Sequence, residues 1–183
     1  SRGSGLRSLA GMPPAREPFR RPLLRVTRAQ TRQACMAMGL EVWNDPHNDD
    51  ERFARVRVRR QTLPVLERTL GPGVAEALAR TAELARDDAD ALDSLAADLC
   101  IRAMTDSGGL SVEVLARSLV AVRRRVLRRR AISAGAPAGE VSAGHVEALE
   151  RLILDWHGQR GVSLPGHLVV RREAGELRFV STR

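Results

Sequence analysis

The most regular pattern in the chain is a seam of apolar residues that recur at alternating spacings of four and three. This spacing predicts one long helix, at 73–105, whose small side chains let a neighbouring helix approach closely. At ~1.5 Å per residue the helix would be about 45 Å long. The seam consists of Leu78, Ala82, Ala85, Ala89, Leu92, Ala96 and Leu99. Such a seam is typical of half a helical hairpin, and it could also hold two copies of the chain together.

A second helix, rich in arginine, is predicted from Leu115 to Ser133. The apolar side of its helical wheel consists of Leu119, Val122, Val126 and Leu127. The arginines of the opposite side are Arg124, Arg125, Arg128 and Arg129. Arg123 and Arg130 fall on the apolar side, where an arginine pairs with an acidic residue or extends its head group to water. The basic side could contact nucleic-acid phosphates or could simply be solvated, and the pattern leaves both open.

The last part of the chain predicts one helix and a β-hairpin. Ser142 is a suitable N-cap for a helix at 143–157. Its buried stripe would consist of Val146, Leu149, Leu152, Ile153 and Trp156. Alternating residues at 167–172 and 176–180 predict two strands, which are joined by a turn at 173–175.

The pattern upstream of the long helix is less regular. Residues 1–21 are rich in glycine, proline and arginine and predict a loop. Short apolar runs predict strands at 22–26 and 40–43, and between them Thr27 should cap a helix at 28–38.

A polar stretch follows the second of these predicted strands. Asp45-Pro46 predicts a turn, because proline disfavours helical dihedrals in the residue before it. Asn48 or Asp49 should then cap a helix at 52–62, and Leu63-Pro64 should end that helix. The stretch would therefore present arginines from a capped helix beside a polar loop.

The charge of the chain narrows the class of partner. Its 183 residues carry a net charge of +8 with a pI of about 11.3, and all 30 basic residues are arginine. The hydrophobic content of 43% is typical of a soluble globular protein. The basic excess favours a polyanionic partner, most often nucleic acid.

Candidate catalytic and metal-binding residues are few. Cys35 and Cys100 stand alone, which argues against a zinc site and for a reducing compartment. Metal-ligand spacing is absent among His47, His145, His157 and His167. Because no apolar run approaches the ~20 residues of a membrane span, we expect a cytoplasmic protein without a metal site or a self-sufficient active site.

Three ordered motifs resemble segments of the bacterial tRNA(Ile)-lysidine synthases, a family of PP-loop ATPases. They are RGSGLRSLAGM at 2–12, RPLLRVTR at 21–28, and WNDPHNDD with FARVRVR and LPVL across 43–66. One departure is Val56, where the family often has asparagine. Beyond residue 66 the resemblance is looser and covers the long helix, the arginine-rich helix and a terminal LPG segment.

The resemblance implies a mainly α chain with two domains. Residues 1–66 would be the C-terminal part of an α/β PP-loop catalytic domain, and residues 67–183 a helical, tRNA-recognising domain with a small terminal β-hairpin. It also implies an ATP-dependent ligase, which joins L-lysine to C2 of the wobble cytidine of CAU-anticodon tRNA(Ile) and releases AMP and pyrophosphate. The family's ATP loop would lie upstream of Ser1, so this chain should be inactive alone and hold no cofactor, whereas the full enzyme would use ATP with Mg²⁺.

The resemblance also implies which residues form the sites. Arg2, Gly3 and Gly5 would border the nucleotide, with Arg2 as a candidate catalytic residue. The candidate tRNA-binding residues are Arg7, Asp45, Asn48, Arg55, Arg59, Arg124, Arg125, Arg128 and Arg129. A homodimer through the apolar seam is a further expectation.

Other classes of protein remain open at this point. The chain could belong to another PP-loop tRNA modifier, although a thiolating enzyme usually brings cysteine motifs. It could be a noncatalytic, arginine-rich helical module that binds nucleic acid, or a helical scaffold that dimerises. The SGGLS segment at 107–111 is predicted to be a turn and not a phosphate loop, because it follows a helix and has Ser111 where an aspartate would be needed. Residues 67–183 should form the stable unit, since residues 1–62 would lack most of their sheet.

Overall fold

The computed structural model describes residues 5–182, which fold mainly as helices with two small antiparallel sheets. The chain divides into two compact units between Asp87 and Asp88, here called unit 1 and unit 2. The elements that begin in unit 1 are α1 (Gly5–Leu9), β1 (Ala15–Arg16), β2 (Phe19–Arg20), α2 (Arg28–Ala37), a 3₁₀ turn (Pro46–Asn48), α3 (Ala54–Arg57), a π-helical turn (Val58–Thr62), α4 (Leu63–Leu70) and α5 (Val74–Ala103). Those of unit 2 are β3 (Leu110–Ser111), α6 (Val112–Ala116), α7 (Val120–Ser133), α8 (Ala143–Leu154), β4 (Val162–Leu164), β5 (Leu168–Glu173) and β6 (Glu176–Ser181).

The predictions of strands at 22–26 and 40–43 are wrong. Residues 22–26 form turns, in which the Leu24 N–H donates to Arg21 O and the Val26 N–H to Leu23 O. Residues 40–43 lie in no sheet of the described chain. An apolar run forms a strand only where a neighbouring strand accepts and donates its backbone hydrogen bonds. In the first run, Pro22 has no backbone N–H to donate to such a neighbour. The segment at 1–21, predicted to be a loop, contains α1 and the β1–β2 hairpin. Both elements are short and formed by local contacts, so they leave no periodic apolar pattern in the sequence.

The helix predicted at 28–38 is confirmed as α2. The Thr27 hydroxyl accepts from the Gln30 N–H, and the Gln30 side chain accepts from the Thr27 N–H, which makes a reciprocal capping box. Gly39 follows the helix at φ 67°, a conformation that glycine adopts at low cost.

The predicted cap at Asn48 or Asp49 is wrong. Asp45 caps the 3₁₀ turn by accepting from the His47 N–H at 2.9 Å. Helix α3 begins only at Ala54 and has no side-chain cap. Just before it, Asp50 accepts from the Arg52 N–H at 2.9 Å, a local turn that precedes the helix and does not cap it.

The predicted helix end at Leu63-Pro64 is also wrong, since the helical path continues through α4. The Leu63 N–H donates to Val58 O, five residues back. This π-helical turn widens the helix before Pro64 and gives the proline ring room beside the preceding carbonyls.

The long helix is confirmed as α5. At its start the Glu67 carboxylate accepts from the N–H groups of Gly73 at 2.8 Å and Ala75 at 3.0 Å. These hydrogen bonds, chiefly the one from Ala75, hold the pKa of Glu67 below its usual value. The buried members of the seam are Ala85, Ala89, Ala96 and Leu99, whereas Leu78 is exposed.

The helix predicted from Leu115 to Ser133 is divided into α6 and α7. Arg123 explains the break, because its Nη1 donates to Ser118 O at 2.7 Å and to Leu115 O at 3.4 Å. These bonds satisfy carbonyls that a continuous helix would have used. Leu119, expected on the apolar side, lies at the break and is 75% exposed.

The predicted terminal hairpin is confirmed as β5 and β6. The turn between them places Ala174 and Gly175 at φ 49° and 80°, the left-handed pair that suits a two-residue hairpin. The sheet is wholly antiparallel in the order β3-β6-β5-β4. Helix α8 ends three residues earlier than predicted, and Trp156, expected in its buried stripe, is 38% exposed.

The apolar core belongs to unit 2. Its fully buried large side chains are Leu110, Leu115, Val126, Leu127, Leu149, Leu152, Leu168, Val170 and Leu177. In the described part of unit 1 the buried apolar side chains are only Ala10, Val56 and Ala85. Many large apolar side chains of unit 1 are exposed, including Leu23, Met36, Met38, Leu40, Trp43 and Leu70. Within residues 5–182, no helix is long and apolar enough to span a membrane.

Candidate nucleic-acid interface

A basic cavity of about 330 Å³ lies in unit 1. Helix α2 forms one wall, residues 42–44 and the end of the 3₁₀ turn form another, and the π-helical turn contributes Arg59. The lining residues are Arg28, Thr31, Arg32, Cys35, Val42, Trp43, Asn44, Asn48 and Arg59. Three guanidinium groups and an exposed indole therefore share one concave surface.

Contacts between the loop and the helices fix this surface. The Arg59 guanidinium donates to Asn48 O, and the Arg32 guanidinium donates to the Asn44 side-chain oxygen. Arg60 forms an ion pair with Asp49 at 2.9 Å. The loop is thus held against both the π-helical turn and α2.

The chemistry of the cavity suits a nucleotide or another anion with a flat group. Trp43 is 78% exposed, so its ring could stack on a base. The Arg28 guanidinium has no ion pair or hydrogen bond within residues 5–182, which leaves its side-chain N–H groups for a phosphate.

Two of the predicted site residues, Asn48 and Arg59, are brought together in this cavity. Asp45 and Arg55 do not line it. Hydrogen bonds from His47, chiefly from its backbone N–H, lower the pKa of the Asp45 carboxyl. The Arg55 guanidinium lies 4.5 Å from the centre of the Phe53 ring in a cation–π contact.

Sequence reasoning missed Arg28, Arg32 and Trp43 as lining residues. Arg28 and Arg32 are four residues apart on α2, which places them on one helix face. That spacing was a usable signal, but the segment that completes the cavity had been assigned to a strand.

The four arginines predicted on the basic side of α7 all make contacts within unit 2. Arg124 pairs with Glu150 at 2.8 Å, and Arg125 pairs with Asp93 at 3.1 Å. Arg128 donates to the carbonyls of Val141 and Ala138, and Arg129 donates to Asp93 O at 2.9 Å.

Arg123, on the apolar side, pairs with Glu150 at 2.7 Å, as the wheel predicted for an arginine there. Both side chains are buried. Burial raises the pKa of the Glu150 carboxyl, but hydrogen bonds from Arg124 and Arg123 outweigh it and leave the pKa below its usual value. Glu150 is therefore ionised at neutral pH and holds two arginines in place.

The residues predicted to border a nucleotide are only partly described. Arg2 and Gly3 lie outside residues 5–182. Gly5 has φ 74°, and no atom of the described residues lies in the space that a side chain would occupy there, so a phosphate could approach its backbone. Arg7 lies on α1 and is exposed. Within the described chain, no three His, Cys, Asp or Glu residues are grouped to hold a metal ion.

Comparison with known proteins gives two family matches in order along the chain. A PP-loop domain model matches residues 1–66, and a TilS substrate binding domain model matches residues 110–178. This order defines the class of the protein as a PP-loop protein with a substrate-binding domain.

Individual relatives extend the match to almost the whole chain. It is 51% identical over 180 residues to tRNA(Ile)-lysidine synthase of Streptomyces coelicolor, covering 97% of this chain and 51% of that protein. The tRNA(Ile)-lysidine synthase of Thermobifida fusca is 49% identical over 177 residues, which cover 97% of this chain and 55% of that protein. The chain belongs to the tRNA(Ile)-lysidine synthase family, as the motifs at 2–66 predicted. It spans about half the length of the curated relatives it matches.

Proposed function

We propose that the chain is part of an ATP-dependent ligase that joins L-lysine to C2 of the wobble cytidine of CAU-anticodon tRNA(Ile). The observation that carries this proposal is the 51% identity to a tRNA(Ile)-lysidine synthase along 97% of the chain. In this reaction ATP supplies the adenylyl group that makes C2 electrophilic, pyrophosphate leaves, and the lysine ε-amine displaces AMP. The proposal places the protein in the cytoplasm, where tRNA and ATP are found.

The cavity of unit 1 is proposed to hold tRNA beside the reacting base. Arg28, Arg32 and Arg59 would bind phosphate groups, because guanidinium forks match phosphate geometry. The exposed Trp43 ring would stack on a base of the anticodon loop. The residues of this chain would thus position the RNA.

The nucleotide is proposed to lie beside the segment that begins at Arg2. The positive φ and open surroundings of Gly5 support a close approach of its phosphates. Mg²⁺ would arrive with those phosphates, as it does in sites with few protein ligands. Arg2 remains the candidate for stabilising phosphate charge.

A homodimer stays a prediction, and the seam is a poor surface for it. Ala96 and Leu99 belong to the buried core of unit 2, so they are not available to a second copy. A dimer would have to use another surface.

Binding of the chain to two tRNAs tests the proposal. Fluorescence anisotropy would compare CAU-anticodon tRNA(Ile) with elongator tRNA(Met), which has the same anticodon letters, over about 50–200 mM salt. We expect tighter binding of tRNA(Ile). Equal, salt-sensitive binding would favour a nonspecific arginine-rich module, and absence of binding at low salt would overturn the proposal.

Two matched variants test the cavity itself. Arg28→Gln should weaken tRNA binding and lower the salt slope by about one unit, since one phosphate contact is lost. Arg80→Gln removes the same charge from the exposed part of α5 in unit 1 and should change neither. Equal effects of the two variants would show that the cavity has no special role.

A further inference from the structure

A second, smaller cavity lies between α7 and α8 in unit 2, remote in sequence from the basic cavity of unit 1. Its volume is about 250 Å³, just below the ~300 Å³ at which pockets for drug-sized ligands begin. Its apolar surface comes from Ala121, Ala143 and Val146, and its polar rim from Arg124, Arg125, Arg128 and Glu147. The size and lining suit one flat ring with an attached anion.

The rim arginines are held before any ligand arrives. Arg124 directs Nε and one terminal nitrogen to Glu150, each at 2.8 Å. Arg128 is fixed by the carbonyls of Val141 and Ala138. A fixed donor loses little conformational entropy when it binds a phosphate, which favours affinity.

Arg124 keeps binding capacity despite its ion pair. Its side chain is 48% exposed, and its Nη1 atom has no hydrogen-bond partner among residues 5–182. Glu150 supplies one carboxylate for both Arg123 and Arg124, so positive charge remains in excess at the rim. A phosphate could therefore bind Arg124 without displacing Glu150.

The Glu147 carboxylate gives the cavity a hydrogen-bond acceptor beside its arginines. It lines the same space and is close enough to Arg124 to help raise the pKa of that guanidinium, after the larger effect of Glu150. A carboxylate accepts hydrogen bonds from the exocyclic amino group of a base, whereas uracil offers only its N3–H, which lies between two carbonyls that repel a carboxylate. It therefore favours adenine, cytosine or guanine over uracil.

We propose that this cavity binds one unstacked nucleotide of the bound tRNA. The base lies on the apolar surface at Ala121, its amino group donates to Glu147, and its phosphate accepts from Arg124. The inference rests on the proposed function, because it takes tRNA as the ligand. It adds an RNA contact in unit 2 to the contact proposed at the basic cavity of unit 1.

Filling the cavity without changing charge is the first test. Ala121→Leu adds apolar bulk at the cavity surface, and we expect tRNA(Ile) binding about fivefold weaker, or about 1 kcal/mol, with an unchanged salt slope. Ala91→Leu is the matched control, since Ala91 is an exposed alanine of α5 in unit 2 that does not line the cavity. Equal binding by the two variants would overturn the proposal.

Removing charge is the second test. Arg124→Gln should weaken binding and lower the salt slope by about one unit, whereas Arg151→Gln, at an exposed position of α8 outside the cavity, should leave the slope unchanged. Thermal unfolding of each variant identifies loss of structure. A folded Arg124→Gln variant with the wild-type slope would contradict the phosphate contact.

Short single-stranded RNAs and free nucleotides complete the test. Wild-type chain should bind oligo(A) or oligo(C) more tightly than oligo(U), and Glu147→Gln should reduce that preference. If AMP or ATP bound at Arg124 while Ala121→Leu left tRNA binding intact, the ligand would be a free nucleotide and the proposal would be wrong. If wild-type chain bound no tRNA at all, the proposed function itself would fail first.

Discussion

The buried carboxylate of Glu150 joins two neighbouring arginines of α7 that have different roles. Arg123 is buried and also closes the break between α6 and α7, whereas Arg124 is half exposed at the cavity rim. Removing one partner of a buried ion pair leaves an uncompensated charge, which is costly. Glu150 therefore stabilises unit 2 through Arg123 and holds Arg124 in place at the rim of the cavity between α7 and α8.

Glu150→Gln should lower the free energy of unfolding by about 3 kcal/mol, because the Arg123 charge would stay buried without its carboxylate. Chemical denaturation would measure the loss. Glu113→Gln is the matched control, since its ion pair with Arg117 is largely exposed and such pairs contribute about 0–1 kcal/mol. Similar losses in the two variants would contradict the role given to burial.

The stabilising effect of Glu150 should depend on pH. Its pKa in the folded chain lies below the ordinary value of 4.5, so the unfolded chain binds the proton more readily. The stabilisation is complete above about pH 4.5 and is lost as the pH falls through the folded pKa. The difference in melting temperature between wild type and Glu150→Gln should therefore shrink below pH 4.5. A difference that stays constant from pH 7 to pH 3 would contradict this linkage.

Residue-scale prediction succeeded where partners are close in sequence. Thr27 and Ser142 were identified as caps because each bonds to a residue three positions on. The wheel placed Arg123 on the apolar side and predicted an acidic partner or a head group extended to water, but it could not identify Glu150, 27 residues away. Val56 departs from the family pattern at a position that the structure shows to be fully buried.

Element-scale prediction was best for long, periodic segments. Helix α5 and the β5–β6 hairpin were found because their periods extend over many residues. The α6–α7 break depends on a side chain that folds back onto carbonyls, and the path through Pro64 depends on a π-helical turn. Neither feature changes the hydrophobic period, so the pattern could not show them.

The turn between α5 and β3 depends on Gly109. A side chain there would meet Glu176 Oε2 at 2.8 Å and Leu177 O at 3.2 Å, and Glu176 is already bound by the Ser107 hydroxyl. Gly109→Ala should destabilise the chain by about 1–2 kcal/mol.

Gly139→Ala is the matched control for this turn. Open space surrounds Gly139, and its φ is not positive, so the change should be neutral or stabilise by up to about 1 kcal/mol. Equal melting temperatures for the two variants would show that the close approach at Gly109 relaxes freely.

At the scale of the whole molecule, the two units differ in how much apolar surface they bury. The large buried side chains cluster in unit 2, and the buried apolar side chains in the described part of unit 1 are only Ala10, Val56 and Ala85. We expect amides of α7, α8 and β5 to exchange slowly and those of α2 to exchange much faster. Mass-spectrometric hydrogen exchange would measure this, and uniform protection would contradict it.

The division into units could be predicted only in outline. The sequence motifs indicated two domains with a boundary at 66/67, and that boundary stays a prediction for the full enzyme. The structure divides between Asp87 and Asp88, within α5. A continuous helix carries no break in its pattern, so only packing can reveal where one unit ends. The basic cavity of unit 1 was predicted only in part, through Asn48 and Arg59, because it also depends on a segment that the pattern assigned to a strand.

The most direct test of the account is lysine transfer by a chimeric enzyme. This chain would replace the matched half of the Streptomyces coelicolor tRNA(Ile)-lysidine synthase, to which it is 51% identical. Radiolabelled lysine should then enter CAU-anticodon tRNA(Ile) in an ATP-dependent reaction, and should not enter elongator tRNA(Met). A folded chimera that binds tRNA(Ile) yet incorporates no lysine, while the parent enzyme does, would contradict the account.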